Sequence, residues 1–415
     1  MEDTVSLAQV AALDANDPLS QYRDQFYLPE GVIYLDGNSL GAAPLAAFDA
    51  LDVASKEEWA EDLIASWSGA GWWTLGETLG DKIAPLVGAS DGEVVVCDST
   101  TVNLYKALHA ALSLRPDRTR LVTEAKAFPT DSYAAEGVAA TRSDLTLDLV
   151  DVEDAGFPDA LDESVAAVLV NHVDYRTASL RDMERLTHQV HDIGAIVVWD
   201  LCHSVGVIDV DLGASGVDFA VGCTYKYLNG GPGAPSFIYA APRHHDTFDT
   251  PLQGWWGHTA PFAFEPTFRG APGIRRFMVG TQPILSMRAM AASLDMYATV
   301  DMADIRAKSQ SLTGLFIDLL DQRCSGLGLE LATPRDANRR GSQVSLYHEH
   351  GRRVSLAVTD QHVHGGYREP GLLRFGFAPL YNTHQEVWDA VTVIKRVLET
   401  EAWRDDRFGS SDSIS

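Results

Sequence analysis

VAAVLV (Val165–Val170), RDMERLTHQVHDIG (Arg181–Gly194) and AIVVW (Ala195–Trp199) follow one another along the chain. The first and third are continuous apolar runs without alternation, the pattern of strands buried on both faces. The segment between them has helical apolar spacing and stops at Gly194, where a helix C-terminus favours glycine. A strand, a helix and a second strand in this order form parallel neighbours with the helix laid across them. Outward from this unit the texture repeats. EVVVC (Glu93–Cys97) precedes the helical pattern NLYKALHAAL (Asn103–Leu112), and VDFAVG (Val217–Gly222) and SFIYA (Ser236–Ala240) supply further strands. From about Ala54 to Tyr239 the expectation is an α/β domain around a mostly parallel sheet.

After Pro283 a long helical region, Leu285 to about Leu320, leads into strand-like SQVSLYH (Ser342–His348) and LLRFGF (Leu372–Phe377) and a final helix near Glu386–Leu398. That predicts a smaller α+β domain. The expected division is residues 1–50 as an N-terminal segment joining the small domain, 51–285 as the large domain and 286–415 as the small one. The tail RFGSSDSIS (Arg407–Ser415) reads as a frayed end.

The chain has 415 residues with 58 acidic and 32 basic side chains, a formal net charge of −26. Such an excess disfavours nucleic acid and anionic membrane as partners, because phosphate-rich surfaces need positive patches. It leaves room for one local phosphate pocket. Four dispersed cysteines, Cys97, Cys202, Cys223 and Cys324, match neither a disulfide scaffold nor a zinc spacing and fit a reducing compartment. The first residues lack the basic and apolar regions of a signal peptide, and no apolar stretch is long enough to span a bilayer. The expectation is a soluble cytoplasmic protein. The pairs His348/His350 and His362/His364 would each share a strand face, but two ligands make a poor metal site, so surface histidines and no metal are expected.

In open α/β sheets ligands bind beyond the carboxyl ends of the strands. Thr100 and Thr101 follow the first strand at a helix start, Asn171 and Asp200 (with His203) follow the next two, and Tyr225 and Lys226 follow VDFAVG before the NGGPG loop. This set suits pyridoxal phosphate. That cofactor needs a lysine for a Schiff base, a carboxylate beside its pyridine nitrogen and a phosphate cup, which a helix N-terminus carrying threonines provides. The NGGPG glycines match neither a dinucleotide fingerprint nor a P-loop.

TYKYLNGGPG (Thr224–Gly233), WDLCHSVG (Trp199–Gly206), LDGNSLG (Leu35–Gly41), FPTD (Phe128–Asp131), GWWGH (Gly254–His258) and GTQPILS (Gly280–Ser286) together resemble the kynureninase family. This is a branch of the fold type I, aminotransferase class V pyridoxal phosphate enzymes. The resemblance runs from about Tyr34 to Trp388. It implies that Lys226 holds the cofactor, Asp200 pairs with its ring nitrogen, and Phe128, Pro129, Thr130 and Asp131 line the ring, with Phe128 stacked on it. His203 would sit at the cofactor's polar edge, and Thr100, Thr101 and Tyr225 would hold the phosphate. Trp255 and Thr281 would reach that phosphate from the second subunit of a homodimer. Arg374 would clamp a substrate carboxylate, with Ser39 contributing. Trp67 is either a core residue or a wall for an aromatic substrate.

Three departures from the family pattern stand out: Asn171 replaces a small hydroxyl residue, Ala178 replaces a glycine, and the family's common DLAH reads DLCH, with Cys202 a small buried substitute. The implied activity is hydrolysis of L-kynurenine, or its 3-hydroxy form, to anthranilate and L-alanine. Lys226 would be the base for the α-proton and Tyr225 the relay for the later protonation. A cysteine desulfurase or selenocysteine lyase would need a nucleophilic cysteine on a small-domain loop, and Ser355–Arg374 contains none. A retired, non-catalytic scaffold would have lost the lysine, aspartate or arginine, and all three are present.

Overall fold

The computed structural model describes residues 5–152 and 157–409; Ser410–Ser415 of the tail read above as frayed lie outside the described residues. A seven-stranded sheet forms the centre. Its strands are β1 (Val94–Val96), β2 (Arg120–Glu124), β3 (Thr146–Val150), β4 (Val165–Asn171), β5 (Ile196–Asp200), β6 (Phe219–Gly222) and β7 (Phe237–Ala240). Their order across the sheet is β1-β7-β6-β5-β4-β2-β3. Only β7 runs against its neighbours; the pairs β6–β5, β5–β4, β4–β2 and β2–β3 are parallel. Every residue of β1, β4, β5, β6 and β7 is buried, as their unbroken apolar composition predicts. Strands β2 and β3 were not anticipated. RLVTE and TLDLV mix charged and apolar residues, and β3, at the edge, has no buried residue.

The helix expected at Arg181–Gly194 spans Met183–Asp192. Asp182 caps its start by accepting from the Arg185 N–H, and Gly194 beyond its end takes φ +72°. The long helical region beyond Pro283 is two helices, Ile284–Tyr297 and Met302–Arg323. Asp301 caps the second by accepting from the Ala303 N–H, which is why the pattern breaks there. The last helix, His384–Glu399, begins with a capping box between Thr383 and Glu386.

A second sheet orders Glu330–Leu331, Gln343–Tyr347, Leu372–Gly376 and Gly366–Arg368 side by side, all antiparallel. Its apolar cluster draws on the helices at 302–323, 351–360 and 384–399 and includes Val10 and Leu35 from the N-terminal segment. That segment is also tied in by pairing of Ile33–Tyr34 with Val363–His364. Ile284–Tyr297 instead packs its Met287, Met290 and Leu294 on the core of the large sheet. Among the described residues no helix is long and apolar enough to cross a membrane. The histidine pairs are not strand-face pairs. His348 is buried in the turn after its strand, His350 stacks on Trp403 with centroids 4.6 Å apart, and His362 lies in a turn before the strand that carries His364.

Candidate active site

Strand ends β4, β5 and β6 open onto a cavity of about 280 Å³, closed on its far side by the strand Leu372–Gly376 and the LDGNSLG segment. One end is acidic. Asn171 and Asp200 are register partners at the ends of β4 and β5. Asp131 enters from the first turn of the helix Pro129–Ala139. The Asn171 side-chain amide donates to Asp131 Oδ2 at 2.5 Å, and its backbone N–H donates to Glu124 Oε2 at 3.1 Å. Burial, followed by the charge on Asp200, pushes the Asp131 carboxyl well above the usual carboxylate range. Arg181 compensates Glu124 at 2.6 Å. Asp131 and Asp200 have no such partner among the salt bridges of the described residues, so this buried pair carries an unmatched demand for a cation.

Lys226 sits beside that pair. Its Nζ is 2.9 Å from His203 Nε2. Burial and then the Lys226 charge hold the His203 pKa well below its ordinary value, so the ring facing the lysine nitrogen is neutral. The lysine lies in a tight turn. The Asn229 N–H donates to the Lys226 carbonyl at 2.9 Å, and the Gly41 N–H donates to the Tyr225 carbonyl at 2.8 Å. Gly41 approaches so closely that a Cβ there would overlap the Lys226 carbonyl. The Tyr225 hydroxyl is raised by burial and by the neighbouring Cys223 and Cys202, so it is held as a proton donor.

The helix Thr100–Ser113 opens at the cavity wall. Its N-cap Ser99 accepts from the Val102 N–H, which leaves the first backbone N–H groups, on Thr100 and Thr101, without intrahelical partners. An anion is favoured there by those donors and by the helix dipole. Thr100 Oγ1 donates to Ser236 Oγ at 3.3 Å. Beneath the turn a fully buried Lys106 binds Asp98 Oδ2 at 2.7 Å and the Phe277 carbonyl at 2.8 Å, fixing the entry to the helix.

The other end is basic. Arg374 Nη1 donates to the Tyr175 carbonyl at 2.7 Å and Nη2 to Ser39 Oγ at 3.1 Å, while its buried Nε has no partner. Burial and then the neighbouring Arg368 lower its pKa to about 10. Phe128 and Tyr175 meet edge to face at 5.2 Å on the cavity wall.

Of the residues anticipated from sequence, Ser39, Thr100, Thr101, Phe128, Thr130, Asp131, Asn171, Asp200, His203, Tyr225, Lys226 and Arg374 line this one cavity. Four do not. Pro129 is the first residue of its helix and lies outside the lining. Trp67, half-buried, packs against Trp72 and Trp256 at 5.3 and 5.4 Å on the edge of the core, outside the cavity lining. Trp255 and Thr281 are exposed on the surface of this chain. Asn38, Val173, Tyr175 and Arg368 line the cavity without having been singled out. Val173 and Tyr175 lie on the loop that leaves β4 at Asn171, and Arg368 is in YREPG, which reads as a polar turn. Cys202 is the cysteine that lines the cavity, at a strand end of the large domain, and Cys324 is buried at a helix end. Neither lies on a small-domain loop over the site.

The model of the kynureninase C-terminal domain matches residues 305–394. Kynureninase from Burkholderia pseudomallei (strain 1106a) is 49% identical over 412 residues, covering 98% of this chain and 99% of that protein. Kynureninase from Pseudomonas fluorescens is 48% identical over 409 residues, covering 97% and 98%. Among solved structures, the apo cysteine desulfurase from Thermococcus onnurineus NA1 superposes with a TM-score of 0.78 at 20% identity, covering 92% of this chain and 98% of that one. A mutant of C-DES with glycine covalently linked to its PLP cofactor gives 0.79 at 15% identity, covering 90% and 98%. These structural likenesses establish the fold alone, an α/β architecture shared with those chains. The near-half identity over almost the full length of both partners goes further: this chain belongs to the kynureninase family.

Proposed function

We propose that this enzyme hydrolyses the Cβ–Cγ bond of L-kynurenine, and of its 3-hydroxy form, to give anthranilate (or 3-hydroxyanthranilate) and L-alanine. The observation that carries this reading is one cavity holding Lys226 between an unmatched carboxylate pair and a guanidinium with free donors. Pyridoxal 5'-phosphate fits the first half. A protonated ring nitrogen supplies the cation that Asp131 and Asp200 lack, and a phosphate suits the open helix start at Thr100 and Thr101. Bound there, the cofactor would withdraw electrons from the substrate's α-carbon.

The chain's own groups do the rest. Arg374 and Ser39 hold the α-carboxylate, a planar fork matched to a planar anion. Lys226 takes the α-proton, and the neutral His203 steadies its amine. Tyr225, kept protonated, gives a proton to Cβ as the bond breaks. Phe128 and Tyr175 exclude water from the ring face. Residues 1–50 work with the small domain, 286–415, against the large domain, 51–285. Exposed Trp255 and Thr281 contact the phosphate of a second copy, which makes the working unit a homodimer. The setting is cytoplasmic tryptophan breakdown feeding NAD synthesis.

The test is anthranilate fluorescence on mixing protein, pyridoxal phosphate and L-kynurenine. Fast release is expected, with a loss of about 10³-fold or more in Lys226→Ala. Sulfide from cysteine with no anthranilate would replace this reading with the desulfurase one.

A further inference from the structure

Arg368 lines the cavity on the strand Gly366–Arg368, beside Arg374 on Leu372–Gly376. It is half-buried, and no carboxylate lies within salt-bridge distance of either arginine among the described residues. That is unusual in a chain with a net charge of −26, where an ion-pair partner is easy to find. Arg368 Nη1 donates to the Tyr367 carbonyl at 2.6 Å, and its remaining N–H donors have no acceptor among the described residues. Asp36 is close enough to feel both cations and accepts from Ser39, but burial raises its carboxyl above the usual range, so it is a weak counter-charge for the pair. Arg374 already has acceptors in Tyr175 and Ser39 and is assigned the α-carboxylate. The second guanidinium is left without an anion in the starting substrate.

The reaction makes one. Water's oxygen bonds to Cγ, the Cβ–Cγ bond breaks with its electron pair going to Cβ, and one proton ends on Cβ. The former ketone carbon becomes a carboxyl group, which ionises and releases the second proton. The products therefore carry two carboxylates where the substrate carried one.

We propose that Arg368 is a catalytic residue that receives the negative charge appearing on the Cγ oxygens and holds the carboxylate of the aromatic product. This rests on the proposed kynurenine hydrolysis. A guanidinium placed where charge develops stabilises the transition state more than the ground state, so its removal shows in kcat rather than in KM.

The experiment compares holoenzyme with Arg368→Gln and Arg368→Lys. Turnover of L-kynurenine is followed together with competitive inhibition by anthranilate and by L-alanine, and anthranilate binding is read directly by its fluorescence. In Arg368→Gln, kcat should fall at least about tenfold with KM changed less than about threefold. Anthranilate should bind about tenfold more weakly and L-alanine unchanged, with Arg368→Lys recovering part of both losses. Unchanged anthranilate affinity would overturn the assignment. So would a rise in KM with parallel weakening of L-alanine, which would make Arg368 a second holder of the α-carboxylate. Wild-type protein that releases no anthranilate would instead overturn the function on which the assignment rests.

Discussion

The two ends of the cavity are built on opposite charge logic. At the sheet end, Asp131 and Asp200 lie at buried positions, the Asp131 carboxyl pushed up by burial and then by Asp200, with Asn171 and Glu124 fixing the geometry. At the small-sheet end, Arg374 and Arg368 stand side by side, one guanidinium pushed down by burial and by the other. Each end favours the charge that the other would repel. The cavity is thus polarised along its length. On the proposed function, a cofactor with a cationic ring would settle at the first end and a substrate with an anionic tail at the second. The teaching is that uncompensated buried charge, expensive for stability, marks where a ligand completes the structure.

If the ends are independent, they should fail separately. Arg374→Gln should raise KM for L-kynurenine about 10- to 100-fold through loss of a charge-assisted fork, with cofactor affinity moved less than about threefold. Asp200→Asn should do the reverse, weakening pyridoxal phosphate about tenfold or more in an absorbance titration while the KM of the saturated enzyme moves less. Either variant moving both constants equally would break the comparison.

A smaller effect sharpens the acidic end. The Asp131 pKa is raised in the folded chain, so above the usual carboxylate range the folded state keeps a proton that the unfolded chain releases. Stability falls as pH rises through that window. Cofactor-free Asp131→Asn should therefore melt a few degrees above the parent at pH 7–8, and the gap should close toward pH 4. A gap that widens on acidification would show that the carboxyl is stabilising as an anion.

The smallest effect concerns the loop joining the two ends. It leaves β4 at Asn171, offers the Tyr175 carbonyl to Arg374 and turns back at Ala178, which is buried with φ +61°. A non-glycine residue there costs about 1–2 kcal/mol, and glycine costs about 0.5–1 kcal/mol in chain entropy. Ala178→Gly should change stability by less than about 1 kcal/mol and leave both ends in place, as read by denaturant melting and unchanged KM. A loss above that would mean the buried methyl packs more than it strains.

The acidic end was the readable part of the site. Its residues follow directly on buried parallel strands, whose continuous apolar runs announce themselves, so Asn171, Asp200 and Lys226 could be placed by counting past each run. The basic end was half readable. Arg374 sits within the apolar run LLRFGF, but Arg368 precedes Glu-Pro-Gly and looks like turn solvent exposure until the antiparallel pairing with Leu372–Gly376 turns it inward. Tyr175 and Val173 lie on a loop whose path is set by Asp174, which accepts from the Arg176 and Thr177 N–H groups, a local device with no periodic signature. Strands β2 and β3 escaped because their polar residues are partnered in place, Arg120 by Asp148 and Asp162. Trp67 was ambiguous because an aromatic side chain serves a core or a pocket wall equally well, and only the cluster with Trp72, Trp73 and Trp256 decides it.

The position of β7 has a consequence for how the chain is made. Among the described residues strand β1, which leads into the Thr100 helix, pairs only with β7, Val96 opposite Phe237, about 140 residues later. At about 5–20 residues per second, a ribosome needs roughly seven to thirty seconds to deliver that partner. For that interval three consecutive valines stand as an unpaired edge on a nascent chain. Mutations that slow docking of β7 should therefore show first as lost yield during synthesis, before any change in the finished enzyme.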